Sequence, residues 1–435
     1  MIFEESNLPV IKNLSLISIG AILGTVFTFL ANIIFARYLN LYDFGVLASS
    51  FVAINLYVSF VGFGIGLFWL NIYGTEGLNG KNWLKPSLKI IFILICFSIF
   101  LIILSLFYSN NSFNKLVFIL IPWMLGLVLN DLAAATLQLQ KKFQKLSLWL
   151  LFPHLSKIII AIFLGIMSFD LIAVGSGIAF MGMTMMTLSL FQLVKFYKKE
   201  NFIKINLNTY KEPSIIDTLK KAWPFCASGF FYFIFFQTNI VILYWLNGPE
   251  ASGIYYAALM ISIAIFIIPS SIFQKYILPL QHRWARENPL KLLAVFRFTC
   301  GTMILLGITA TIMLILIAQT SIFNIFGEEF FKASEIIFIL AFGVPFKFLA
   351  IGIGGLLSVR DLIKNKIKCM GIIAFLNVIL NFSLVPIFSL QGAAFATIIC
   401  DLCLLIFYLI VIQNKLFGSD TWKNWNISIK SIQNL

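Results

Sequence analysis

The sequence predicts an all-α integral membrane protein, with twelve transmembrane helices in two six-helix bundles that form a parallel pseudo-two-fold repeat around a central cavity. Three observations lead there. Hydrophobic residues make up 60% of the 435 and charged residues only 11%, with a mean hydropathy of +0.98. A soluble domain averages about 25% charged residues, so this chain cannot cover itself with water-facing side chains. Its apolar residues fall into runs of the length a bilayer requires, and one short phrase is written twice, about half the chain apart.

A spanning helix needs about 20 mostly apolar residues. The runs that qualify are 14–36, 44–70, 88–108, 116–137, 148–167, 171–194, 223–246, 251–274, 292–319, 333–358, 368–389 and 392–413. They are longer than the roughly 9–11 residues of a barrel strand and do not alternate, which argues against strands. The opening stretch MIFEESNLPVIKN has neither a basic n-region nor a small-residue cleavage site, so the first helix is expected to stay in place.

The formal net charge of +14 would suit a nucleic-acid binder, but its distribution does not. Of the 31 Lys and Arg residues, Arg37, Lys115 and Lys332 stand on one set of loops, and Lys157, Arg297 and Lys347 lie within helices. The remaining 25 occupy the other set of loops and the two tails. This is the positive-inside bias, and it orients both termini to the cytoplasm. All six cysteines lie in or at the edge of apolar segments, and Cys400-x-x-Cys403 has no neighbouring histidine. They read as packing residues, so neither disulfides nor a metal site is expected.

The repeated phrase is ANIIFARYLNLYDFGVLA from Ala31 and TNIVILYWLNGPEASGIYYA from Thr238. Asn32 aligns with Asn239, Leu39-Asn40 with Leu246-Asn247, Asp43 with Glu250 and, after one inserted residue, Gly45 with Gly253. Each copy covers the end of a half's first helix, a short outer loop and the start of the next helix. Six helices per half return the second half to the orientation of the first, as in transporters built from parallel repeats. The expected organisation is an N-terminal bundle over 1–194, a basic cytoplasmic linker over 195–222, a C-terminal bundle over 223–414 and a cytoplasmic tail over 415–435. In the linker, Ser214 and Asp217 form a capping box that opens a short interfacial helix. Pro122, Pro153, Pro269 and Pro345 fall within spanning runs, where proline tends to kink a helix. The glycines of GFGIG (62–66) and GIGG (352–355) suit close helix contact.

Enzymatic machinery is not evident. The outer loops are short, the histidines are only His154 and His282, and no nucleophile–base pair, metal set or phosphate-cradling loop emerges. What remains are ionisable groups inside helices: Asp131, His154, Lys157, Arg297, Lys347 and Asp401. An Asp, Lys or Arg at the bilayer centre costs about 2.5–3.5 kcal/mol, so each should face protein and have a partner. Depth along neighbouring helices suggests that Asp131 pairs with Lys157 or His154, and Asp401 with Lys347. Such pairs either hold a bundle together or take part in proton coupling. Arg297 lies near the inner interface, and Arg37 at the outer end of helix one.

FFQTNIVILYWLNGPEASGIYYAAL, IPSSIFQKYILPL, FGEEFFKASEIIFILAFGVPFKFL, NVILNFSLVPIFSLQGAAFATIICDL and ARYLNLYDFGVL resemble segments of the polysaccharide repeat-unit flippases. These are the Wzx-type (O-antigen and capsule) members of the multidrug/oligosaccharidyl-lipid/polysaccharide (MOP) exporter superfamily, which have a MATE-like fold. The resemblance runs over essentially the whole chain, on loose apolar motifs. It departs at Asn239, where an acid is often seen, at Leu41-Tyr42 for a Gly-Pro, and at Asp401 for a Glu.

The resemblance implies that the protein flips undecaprenyl-pyrophosphate-linked oligosaccharides from the cytoplasmic to the outer leaflet of the bacterial inner membrane. It also implies coupling to an ion gradient or the membrane potential rather than to a cofactor. Partners would be the lipid-linked glycan, membrane lipids, and a polysaccharide polymerase with other assembly proteins. Lys157, Lys347, Arg297 and Arg37 are the candidate contacts for the pyrophosphate. Asp131, His154 and Asp401 are the candidates for ion pairing or proton coupling. A drug or small-cation exporter of the same superfamily is the alternative, and its cavity should favour acidic groups. A membrane glycosyltransferase or polymerase is a third reading, against which the short outer loops argue.

Overall fold

A computed structural model of the chain describes residues 8–167, 170–202, 213–273, 281, 284, 288–357, 362–423 and 425. The centre of the linker (203–212) and the loop residues Lys275, His282, Arg283, Arg286 and Arg360 lie outside them. The described residues are helical, without a strand. The helices are α1 (Leu8–Tyr38), α2 (Leu41–Gly62), α3 (Ile65–Glu76), α4 (Leu84–Tyr108), α5 (Ser112–Ile119), α6 (Ile121–Leu139), α7 (Phe143–Met167) and α8 (Leu171–Phe202). They continue with α9 (Ile215–Asn247), α10 (Pro249–Ile272), α11 (Pro289–Phe326), α12 (Ala333–Ala341), α13 (Val344–Leu356) and α14 (Ile363–Ile412).

The chain divides into two compact units, Met1–Phe233 and Ile234–Leu435, with the division falling inside α9. In the first unit α1 packs along α7 and α6 along α8, while α2 meets α4, α5 and α6. In the second, α11 packs on α12 and α13, α10 on α12, and α13 on α14. Eight described helical stretches are long and apolar enough to cross a membrane, or ten if each of two bent pairs is one crossing.

Both copies of the repeated phrase form the corner they were expected to form. α1 ends at Tyr38 and α2 starts at Leu41; α9 ends at Asn247 and α10 starts at Pro249. In the first corner Asn40 caps α2. Its Oδ1 accepts from the Asp43 amide at 2.8 Å, while its Nδ2 donates to the Asp43 carboxylate at 2.9 Å. In the second corner Gly248 supplies the turn at φ +92°. Asn32 and Asn239, aligned in the two phrases, are each 2% exposed. The bent pairs repeat as well. α5–α6 bends by 46° and α12–α13 by 54°, each within the fourth expected span of its half.

The structure departs from the sequence-based expectation at the breaks. Pro122 and Pro345 do not sit mid-helix: each occupies the first turn after a bend, where the missing N–H has no helical partner to lose. Pro153 does lie in a helix interior. The run 44–70 is broken at Phe63 and Gly64, both left-handed (φ 47° and 62°). Gly64 of GFGIG therefore marks a break between α2 and α3, while Gly66 keeps the expected close helix contact: a Cβ there would stand 3.4 Å from the Asp131 carbonyl oxygen on α6. A Cβ on Gly64 would stand 2.5 Å from the Phe225 carbonyl carbon, so the break also admits α9. The two last spans run together as α14, kinked at Ser389 (φ 51°, ψ −128°). Gly392 there abuts the Leu384 carbonyl, and Asn247 donates to the Ser389 hydroxyl at 3.1 Å.

The capping box of the linker forms as expected. The Asp217 carboxylate accepts from the Ser214 amide at 3.2 Å, and the Ser214 hydroxyl accepts from the Asp217 amide at 3.1 Å. No separate interfacial helix follows. α9 runs 33 residues without interruption, through Pro224, because nothing in 215–247 takes a positive φ. At about 1.5 Å per residue it is longer than the hydrocarbon is thick. Its start is fastened to the first unit: Lys221 meets Glu76 at 3.1 Å and lies 4.2 Å from the Trp83 ring centre. The Trp83 indole N–H donates to the same Glu76 carboxylate at 2.8 Å.

Gly64 and Gly77 separate backbone strain from crowding. Both have φ near +60°, but a Cβ on Gly77 meets nothing within 4 Å. Gly77→Ala, at ψ −133°, should cost only backbone strain, about 1–3 kcal/mol, with no clash. Gly64→Ala should cost clearly more, seen as a larger drop in the thermal unfolding midpoint of detergent-purified protein. Equal drops would mean that the Gly64–Phe225 approach does not matter.

Candidate functional site

A lysine inside a lipid-embedded bundle needs protein around its ammonium, because hydrocarbon offers it nothing. Lys157 of α7 is partly buried, and its Nζ lies 4.4 Å from the Phe51 ring centre on α2 and 6.0 Å from Trp123 on α6. Lys347 of α13 is buried, with Nζ 3.6 Å from the Phe236 ring centre on α9 and 5.0 Å from Phe266 on α10. Each unit therefore holds one lysine between two aromatic rings. A cation over an aromatic face gains about 0.5–1 kcal/mol when exposed and about 2 or more when desolvated. That offsets part of the burial cost without placing a formal negative charge in contact with the ammonium.

The carboxylate pairings expected from sequence are not what the structure forms. Among the described residues, no ion pair joins Asp131 to Lys157 or His154, or Asp401 to Lys347. On α6 the neighbour of Lys157 is Trp123. Asp131 stands eight residues further on, about 12 Å along the axis, and is exposed in the first unit. His154 belongs to the α1–α7 contact: its Nδ1 is 2.6 Å from the Thr28 hydroxyl, and its ring fills the space a Cβ on Gly24 would need. Asp401 is 3% exposed, on α14.

The two arginines stand apart from these cages. Arg297 is committed to Asp420, with Nη2 3.4 Å from its backbone carbonyl and 3.8 Å from its carboxylate. That bond ties α11 to the turn at 418–422. Arg37 is exposed in the last turn of α1, where a cation complements the helix dipole.

Next to Asp401 lies a polar network that was not assembled from the sequence. The Asn239 amide donates to Thr397 at 2.7 Å and to the Tyr255 hydroxyl at 3.2 Å, and Tyr255 and Thr397 are 2.9 Å apart. The Asn381 amide donates to the Asn239 carbonyl at 2.9 Å and to the Asn377 backbone at 2.8 Å. These bonds join α9 and α10 to both arms of the kinked α14. The signal was present: Asn377 and Asn381, then Thr397 and Asp401, recur at i, i+4 on otherwise apolar helices. No group of three or more His, Cys, Asp or Glu side chains that could hold a metal occurs among the described residues.

A family model described as polysaccharide biosynthesis protein matches residues 10–283, more than half the chain. The chain belongs to that family. Lys157, Asp131 and His154 lie inside the matched stretch; Lys347 and Asp401 lie beyond it. Solved structures share its fold at low identity. The lipid II flippase MurJ in an inward closed conformation is 18% identical with a TM-score of 0.64, over 96% of this chain and 91% of that one. An inward-facing multidrug resistance MATE family transporter of the MOP superfamily is 15% identical with a TM-score of 0.69, over 90% and 94%. A MOP superfamily transporter from Pyrococcus furiosus, whose reverse pocket polarity is described as suggesting a different function, is 14% identical with a TM-score of 0.65, over 93% and 96%. No curated protein sequence matches the chain significantly.

Asn239→Ala would remove one hydrogen-bond partner each from the Asn381 amide, Tyr255 and Thr397, all of them buried. An unmade buried hydrogen bond costs about 1–3 kcal/mol. The variant should unfold at a lower temperature than the parent in detergent, and an unchanged midpoint would mean the network carries no stability.

Proposed function

We propose that this protein is a flippase that moves an undecaprenyl-pyrophosphate-linked oligosaccharide repeat unit from the cytoplasmic to the outer leaflet of a bacterial inner membrane, by alternating access. The glycan would serve a surface polysaccharide such as O-antigen or capsule. The observation that carries the reading is the pair of lysines, one per unit, held between aromatic rings rather than neutralised by carboxylate contact. A pyrophosphate cannot cross about 30 Å of hydrocarbon bare. A lysine that keeps its charge offers it a charge-assisted hydrogen bond, and the lipid tail never has to leave the bilayer. The family's link to polysaccharide biosynthesis and the fold shared with a lipid II flippase agree with such a cargo. Transport would draw on an ion gradient or the membrane potential, with a polymerase and other assembly proteins taking the product.

Twelve crossings fit this reading. The stretches Leu41–Tyr108 and Ile363–Trp422, of 68 and 60 residues, are each about twice what one crossing needs or more, and each contains a left-handed break. Counting each as two takes ten crossings to twelve. The rival reading, a drug or small-cation exporter, draws on the MATE likeness and on the buried Asp401. In the Pyrococcus furiosus transporter a reversed pocket polarity goes with a suggested difference of function, so the sign of the buried charge is the property to test.

Lys157→Ala and Lys347→Ala, expressed at normal abundance in a strain lacking the parent gene, should each cut glycan export by about tenfold or more. A charge-assisted hydrogen bond is worth about 1.5–3 kcal/mol, and 1.4 kcal/mol is a factor of ten. Lys347→Arg should keep part of the export, since charge survives while geometry changes. Full export by both alanine variants would refute the cationic contact. Orientation is tested separately: a cysteine placed within 195–222 should react with membrane-impermeant reagents only after the cells are opened, and labelling on intact cells would invert the topology.

A further inference from the structure

A groove of about 840 Å³ in the first unit is lined by residues of α4 and α8, with Leu129 of α6 and Ile215, the first residue of α9. The charged side chains that line it are all lysines: Lys85 and Lys89 in the first two turns of α4, and Lys198 near the end of α8. α4 begins where α8 ends, so the three gather at one end while apolar residues such as Phe92 and Leu193 form the body. Lys142, in the nearby turn between α6 and α7, is pushed below the usual lysine value by what burial it has and by the charges of Lys145, Lys195 and Lys199.

We propose that this groove is a binding site for an anionic phospholipid, with its phosphate against Lys89 and Lys198 and its acyl chains along the apolar walls. Basic pockets between membrane helices on the cytoplasmic side take anionic headgroups, and the volume lies within the roughly 300–1,000 Å³ of pockets that bury most of a ligand. A zwitterionic lipid would bring its own ammonium against the lysines. A lipid-linked oligosaccharide would need acceptors and amides for its hydroxyl groups, and apart from the lysines the lining offers only the Tyr197 hydroxyl as a polar side chain. The site goes beyond the transport reading and shares with it only the orientation that puts these lysines in the inner leaflet.

The test uses the full chain in nanodiscs whose lipids are phosphatidylglycerol, phosphatidylethanolamine or a mixture, with lipid retained after extraction counted by native mass spectrometry. Phosphatidylglycerol should be retained at least tenfold over phosphatidylethanolamine. Lys89→Gln with Lys198→Gln should lower that retention by about 25-fold, taking roughly fivefold per lysine at a membrane surface. Val194→Trp, which fills the groove while keeping the charge, should lower it too. Retention indifferent to headgroup, or unchanged in the lysine variants, would make the lipid ordinary annular lipid and overturn the proposal. Displacement of phosphatidylglycerol by undecaprenyl pyrophosphate at equal mole fraction would overturn it in favour of a substrate-loading site. Neither result bears on whether Lys157 and Lys347 support export.

Discussion

A chain that crosses hydrocarbon has no water to bond, so every backbone amide and carbonyl must be satisfied by the chain itself. Helix follows from that for almost every described residue, and so does the importance of the few places where helix stops. At Phe63–Gly64 and at Ser389 the backbone turns left-handed, and in both cases another segment lies against the break: Phe225 at the first, the Leu384 carbonyl and Asn247 at the second. At Leu120 and Phe342–Gly343 the bend comes just ahead of a proline that would otherwise remove a bond. Interruptions are tolerated where they are packed.

The same absence of water governs the charges. Both buried lysines use aromatic faces, yet their surroundings differ. Lys157 shares its helix with His154, which is occupied by Thr28. Lys347 lies in the unit that carries the buried Asp401 and the amide network. The two units repeat their helices and corners while carrying different polar groups around their lysines.

How much of this could be read from the residues follows from how narrowly each pattern constrains the chain. The helices and the corner repeat were legible because long apolar runs have little use outside a bilayer, and the Asn–Leu-Asn–acid spacing rarely recurs by chance. The lysines were legible because burying them is expensive. Their partners were not, since the sequence offers 47 phenylalanines and nothing distinguishes Phe51 or Phe236 from one that faces lipid. Carboxylates were the obvious alternative, and depth along neighbouring helices was too coarse to show that Trp123 rather than Asp131 meets Lys157. The break at Gly64 was hidden because glycine serves close packing and positive φ equally well. The one at Ser389 gave no signal, being a serine where glycine is usual.

The amide network also has a consequence for the conditions a cell surface meets. Asn239, Asn377 and Asn381 hold no exchangeable charge: from acid to alkaline medium each presents the same two donors and the same acceptor. A seam of carboxylates in that position would loosen or tighten whenever protons arrived. The asparagine bonds that join α9, α10 and α14 do not change with the supply of protons, which leaves Asp401, four residues beyond Thr397 on α14, as the carboxylate beside them.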